Sequence, residues 1–443
     1  MKKSVLLILL LAGSLLADAA DIDKGTVKPR TPVAVTKLHR GDTHSYSVSF
    51  KKGNRYIFSV MQNGIDLVVT LLDPDGKTVA EKDSPNGKNG FEKLSYTVSR
   101  EGVYRYQVKA LDDSTNTEFG SYDAYLAEQD KELQQRLDKE NRKTVQTLDI
   151  DHFWEAYDNL RNCHTRLDSI MSFQTLYIDR ATEGLEDFIG ARGFSSSEYV
   201  RVIKTFPKFY SSVRANTLEA RNAGPLIEDV FRNFKKIYPA FKPVKVNFAI
   251  GALRTAGTVS NRYVLIGTEM TTSTDKTDLS EIKSPALATI LANKGEIVQS
   301  LKNIIAHESV HTQQLSELAP EAERCQLMYA IMMEGFCDFI GEKIAGGKIN
   351  EAVHRYGNAH ENELWTQLAS NPCNGRFEDW LYNFMQVKDT PADLGYYMGY
   401  KIAESYYLRA EDKKQAIADI ITMNDPKKFL EKSGYAEKFQ KTP

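Results

Sequence analysis

Two histidines four residues apart with a glutamate directly after the first, His307-Glu308-Ser309-Val310-His311, form the stretch of this chain best suited to chemistry. On a helix, residues i and i+4 lie one above the other, so both imidazoles can aim at one point about 2 Å from each and share a metal ion. Glu308 is turned by one residue, about 100°, and sits beside that point, where it can take a proton from a water activated by the metal. Leu301, Ile304, Leu315 and Leu318 recur at helical spacing around the three, so the polar groups interrupt a buried stripe. Burying them unpartnered would cost several kcal/mol, which a bound cation would offset.

A third ligand is expected from the next helix. After Pro320 the stretch Ala322 to Ala345 reads as one long helix ending at Gly346-Gly347, with Glu334 at its centre. Catalytic zinc takes three protein ligands and keeps one open position, so the expected ligand set is His307, His311 and Glu334, one Zn2+ per chain. Asp338, one turn beyond Glu334, is expected to hold the outer nitrogen of a ligand histidine. Glu323 and His360 are the substitutes should Glu334 not bind.

HExxH followed by Glu-x-x-x-Asp resembles the gluzincin class of zinc metallopeptidases. More closely, residues 240 to 410 are similar to bacterial predicted zinc-dependent proteases with a Glu334-Gly-x-x-Asp-Phe-Ile-Gly type of motif. The resemblance implies metal-assisted peptide hydrolysis with Glu308 as general base. The Gly-x-Met-Glu-Asn motif of the aminopeptidase branch is absent, and Gly267-Thr268-Glu269-Met270 only echoes it. Asp393 to Tyr400 resembles a Gly-Tyr-x-x-Gly stretch of the same proteases, which makes Tyr396 the expected oxyanion donor, with Tyr400, His354 and His360 behind it. In such folds a strand near the metal offers its edge to an extended substrate, and Tyr263 to Gly267 is the candidate edge, with a small hairpin that only covers the helices as the equal alternative.

The elements that must position these groups make a multidomain α+β chain, an N-terminal β-sandwich followed by a mainly helical, gluzincin-like domain with a small β segment. Lys2 and Lys3, the apolar run Val5 to Leu16 and Ala17-Asp18-Ala19 read as a signal peptide over residues 1–19, without a lipid-accepting cysteine. Residues 31–127 alternate in β-rich runs broken by Lys52-Gly53-Asn54, Pro74-Asp75-Gly76 and Glu101-Gly102. This segment resembles the pre-peptidase C-terminal (PPC) domain of secreted bacterial proteases in Asp66-Leu67, Leu72-Asp73-Pro74-Asp75-Gly76, Gly102-Val103-Tyr104 and Gly120-Ser121-Tyr122. A glycan or protein partner is one expectation for it. Asp66, Asp73, Asp75 and Asp83 read as solvated turn residues rather than a calcium site. Residues 128–148 read as a helical linker and 149–443 as the metallopeptidase domain, in which Trp154, Tyr157, Leu160, Ile170 and Phe173 supply core and His152 and His164 pack or face solvent.

Composition narrows the partners. With 42% hydrophobic and 26% charged residues and a net charge of −2, the chain is ordinary globular material without the electrostatic footprint of a nucleic-acid binder. No stretch beyond the leader has the apolar length of a membrane span, so the expected product is secreted or periplasmic and acts on peptides or proteins. A non-catalytic zinc protein that binds through its sandwich is the alternative, and the presence of Glu308 speaks against it, because a structural zinc site needs no base. Of the four cysteines, Cys325 and Cys337 are expected on one helix about 18 Å apart, so they cannot pair. Cys163 with Cys373 is the default bridge, and Cys337 is expected to pack.

Overall fold

The computed structural model describes residues 20–84, 87–292, 296–314, 319, 325–384, 386–387 and 390–440. The leader expected at 1–19, Leu315, Leu318 and Glu323 lie outside these residues. The chain divides into two compact units, residues 1–135 and 136–443.

The first unit is a β-sandwich of nine strands: β1 (Asp21–Thr26), β2 (Pro32–His39), β3 (Thr43–Phe50), β4 (Arg55–Asn63), β5 (Leu67–Leu72), β6 (Thr78–Lys82), β7 (Asn89–Thr97), β8 (Gly102–Ala110) and β9 (Phe119–Gln129). One sheet has the order β1-β3-β8-β5-β6 and the other β2-β9-β4-β7. The period-2 alternation read from sequence buries Tyr56, Phe58 and Val60 of β4 against Tyr104, Tyr106 and Val108 of β8. Phe58 stacks on Tyr106 with ring centroids 4.2 Å apart. Strand β1, parallel to β3, lies ahead of residue 31, where the sequence pattern begins.

The second unit is mainly helical around a four-stranded sheet, β10 (Val145–Gln146), β11 (Lys245–Ala249), β12 (Gly257–Val259) and β13 (Tyr263–Gly267), in the order β10-β11-β13-β12. The expected substrate edge, Tyr263 to Gly267, is corrected here. Strand β13 is paired on both sides and buried at every residue, while the edge facing the helices is β12. Strand β12 is only three residues long and half-buried throughout, too short for its pattern to be read from sequence.

Three helices carry the polar stripe and its neighbours. The Ile297–His311 helix is buried on all faces from Ile305 to Val310, because it packs on β12 and β13 as well as on the Gly224–Ile237 and Gln326–Ala345 helices. The Gln326–Ala345 helix is wedged between it and the Leu394–Arg409 helix. Both crossings run over glycines: a Cβ at Gly335 would lie 2.3 Å from the Tyr400 backbone nitrogen, and one at Gly341 would lie 3.3 Å from that of His307. Backbone therefore meets backbone.

The disulfide joins Cys325 to Cys373, and Cys163 is free, which overturns the expected Cys163 to Cys373 bridge. Cys325 is the residue before its helix, outside helical φ/ψ, and the chain after the Glu351–Ser370 helix returns to it, where Met328 N donates to Pro372 O. Replacing Cys325 by serine, which opens a loop of 48 residues, should lower unfolding free energy by about 4 kcal/mol on the chain-entropy estimate. Denaturant melts of the variant against the parent read this loss.

The echo motif has a structural role. Glu269, fully buried, accepts the N–H groups of Gly251 and Leu253 at 2.8 Å each, and thereby holds a loop in which Ala252 and Leu253 both take left-handed φ. Burial pushes its pKa up to about 7, against the opposing pull of those N–H groups. Between the ordinary carboxyl value and pH 7 the folded state thus keeps a proton that the unfolded chain releases. Its contribution to stability must fall as pH rises through that window, by roughly 3 kcal/mol. The difference in urea stability between parent and Glu269→Gln, followed from pH 4.5 to pH 8, should carry that slope, and a pH-independent difference would contradict it.

Candidate metal centre

The structure brings His307, His311 and Glu334 to one point. His307 Nε2 and His311 Nε2 are 3.2 Å apart, and Glu334 Oε2 lies 3.2 Å from His311 Nε2 and 3.5 Å from His307 Nε2. A tetrahedral ion with ligands at about 2.0–2.1 Å sets its donor atoms about 3.3–3.4 Å apart, so the triangle has the edge length of one face of such a tetrahedron.

The outer nitrogens fix the tautomers. His307 Nδ1 lies 2.8 Å from Asp338 Oδ1, which as a carboxylate can only accept, so that nitrogen donates. His311 Nδ1 lies 2.8 Å from Gln314 Oε1, and Gln314 Nε2 donates to Met333 O, which leaves Oε1 as the acceptor. With the outer nitrogens donating, each inner nitrogen of a neutral imidazole presents a lone pair, so the three donor atoms crowd a point that a proton or a cation must occupy. The chemistry of this donor set fits a divalent cation. Electrostatics agree: burial alone would lower His307, yet Asp338 and Glu334 hold it well above the ordinary imidazole value. Burial likewise works against ionised Glu334, but the two imidazoles keep it well below the usual carboxylate range. The pocket calls for positive charge.

Glu308 stands beside the triangle. Its carboxylate lies against the backbone of β12, where a Cβ at Gly257 would come within 2.6 Å of Oε1. Burial pushes its pKa up, against the pull of the neighbouring His307 and His311. No described residue accepts or donates a hydrogen bond at that carboxylate, so its lone pairs are free to meet a water.

The remaining expected residues are distributed as follows. Asp338, fully buried, accepts from His307 and also from Asn350 Nδ2 at 2.7 Å. The Tyr396 ring lies 6.0 Å from that of His307 at an interplanar angle of 20°. Burial and Glu334 raise the Tyr396 phenol well above its ordinary value, and among the described residues no hydrogen bond holds it. Tyr400 points elsewhere and donates to Glu342, His354 packs against the Tyr397 and Tyr400 rings, and His360 pairs with exposed Glu363. His152 is buried on Arg180 O, and His164 is exposed. Cys337 is fully buried, and its sulfur falls within 4.8 Å of the histidine donor atoms, closer than a packing residue need be. Burial holds its thiol well above the ordinary value. Three contributors had not been expected. Gln314 carries a faint signal, three residues after His311 and just past the end of its helix. Asn350 carries none. Tyr382, in left-handed φ and 60% exposed, donates its hydroxyl to Glu334 Oε1 at 2.6 Å, and nothing in its local sequence marks it.

Comparison with known proteins adds the following. A family described as predicted Zn-dependent proteases (DUF2268) matches residues 266–431. No curated protein matches the chain. Two solved structures align with a quarter of it: a periplasmic inhibitor of g-type lysozyme, PliG of Aeromonas hydrophila, at 13% identity and TM-score 0.20 over 99% of that chain, and the pre-peptidase C-terminal domain of the Bacillus anthracis collagenase, at 19% identity and TM-score 0.19 over 95%.

Removing the partner of His307 should loosen the metal without removing a donor atom. Asp338→Ala is expected to weaken zinc affinity by about 10–100-fold, measured by competition with a chelating dye.

Proposed function

We propose that the chain is an exported, gluzincin-type zinc peptidase with one zinc per chain held by His307, His311 and Glu334. The observation that carries this reading is the triangle of three lone-pair donors with unpartnered Glu308 beside it. The matched family description supports the same class. The Cys325 to Cys373 disulfide supports export, since such bonds persist in oxidising compartments. No helix among the described residues is long and apolar enough to cross a membrane. In this reading residues 1–19 are a cleaved leader, 31–127 a PPC-like module that recognises a partner, 128–148 a linker and 149–443 the peptidase.

Zinc, when bound, supplies the positive charge that acidifies a water and polarises the scissile carbonyl. Glu308 takes the proton of that water and passes it to the leaving nitrogen, a part its free lone pairs and raised pKa suit. The unengaged Tyr396 hydroxyl is the donor for the oxyanion. Tyr382 holds the second oxygen of Glu334 and so keeps the first turned toward the histidines. An extended substrate adds to the free edge of β12, and the lack of a side chain at Gly257 keeps backbone and Glu308 in contact.

Elemental analysis of protein produced in zinc-replete medium should give about one zinc per chain, and metal-free protein would overturn the reading. Glu308→Gln should retain that zinc and lose at least about a hundredfold in peptide hydrolysis. Parental cleavage by this variant would show that Glu308 is not the base.

A further inference from the structure

A cation beside the site has no part in the chemistry above. Arg192 is the last residue of the Glu183–Arg192 helix, which Gly193 ends in left-handed φ. That helix packs on β12 and β13, and Asp187 pins it by accepting from Ser260 at the end of β12. Its final turn brings Arg192 to the strand side of the site, where its charge acts on both Glu308 and the Tyr382 phenol.

Among the described residues, nothing pairs with this guanidinium. Its Nε is buried without an acceptor, and no carboxylate stands at ion-pair distance. Other arginines of the unit are engaged: Arg180 with Glu155, Arg214 with Asp158, Arg254 with Glu198, Arg262 with Glu183 and Asp187. The buried Nε–H is a donor left without an acceptor, which is costly, and the half-buried fork presents four further N–H donors in the same plane. Glu308, whose carboxylate lies against Gly257, forms no ion pair or hydrogen bond with the guanidinium among the described residues. The acceptor must come from outside, along the edge on which an extended chain would lie.

We infer that Arg192 binds a carboxylate of the substrate, so that the site selects peptides that present one where the bound chain passes the end of the Glu183–Arg192 helix. The inference rests on the peptidase reading and deepens it. A planar carboxylate matches the guanidinium fork with two parallel hydrogen bonds. It can be the C-terminal carboxylate, which makes the enzyme trim chain ends, or an aspartate or glutamate side chain, which makes it select acidic sequences. With a net charge of −2 the molecule as a whole does not draw acidic peptides, so a preference for them must be local.

The test uses a short alanine-based peptide with one phenylalanine, as free acid and as amide, and with Glu or Gln in place of each alanine in turn. Binding to zinc-loaded Glu308→Gln protein is read by fluorescence anisotropy, and kcat/KM is read on the parent. At least one acidic form should bind about tenfold or more tightly than its neutral counterpart. Adding Arg192→Gln should remove that difference, and Arg192→Lys should keep part of it. A gap between acid and amide assigns the chain end, and a gap between Glu and Gln assigns a side chain. Equal or undetectable binding of all acidic and neutral forms overturns the inference even if no Arg192 variant folds, and so does a preference that survives Arg192→Gln. Because binding is measured on protein lacking the base, failure of the hydrolytic reading, seen as missing zinc or an active Glu308→Gln, appears separately.

Discussion

The hydrogen bond from His307 Nδ1 to Asp338 is the constraint from which the rest of the site follows. It commits one imidazole to a tautomer whose inner nitrogen carries a lone pair, and it does so with a carboxylate from which water is excluded. An ionised carboxylate at that depth is tolerable only because it accepts from two donors, His307 and Asn350. Gln314 performs the same service for His311 with a neutral amide. The second carboxylate, Glu334, is turned inward while Tyr382 occupies its outer oxygen. Each donor atom at the centre is thus set by a partner on its far side, and positive charge between them relieves what would otherwise be mutual repulsion of three acceptors.

This arrangement depends on how near the helices come. Gly341 lets the Glu334 helix touch the backbone of the HExxH helix at His307, and Gly335 with Gly399 lets the Leu394–Arg409 helix close on its other side. Side chains at these crossings would push the helices apart by more than the few tenths of an ångström that metal ligation tolerates. The glycines therefore shape the candidate metal centre as much as its donor residues do.

Legibility in the sequence followed the same division. His307, Glu308, His311, Glu334 and Asp338 sit on two helices, and the helical period alone tells which share a face, so their meeting was readable from spacing. The sandwich strands were readable for a parallel reason: β3 and β5 begin and end where the alternation does. What escaped came from long-range returns of the chain. Tyr382 and Asn350 reach the site from connecting segments, Arg192 from a helix end more than a hundred residues upstream, and Cys373 meets Cys325 only because the chain doubles back. The edge strand was misplaced because β13 has the stronger β pattern, and strong apolar pattern marks an interior strand, whereas the real edge is short and half-buried.

The site is accordingly two-sided. Buried stretches of two helices carry the groups that form the donor triangle. The opposite side is made of β12 and the end of the Glu183–Arg192 helix, which among the described residues offer a sheet edge and an unpaired cation. The donor triangle is thus placed where packing allows little adjustment. Among the described residues, hydrogen-bonding capacity is still unspent on the strand side, and Glu308, lying on Gly257, stands between the two.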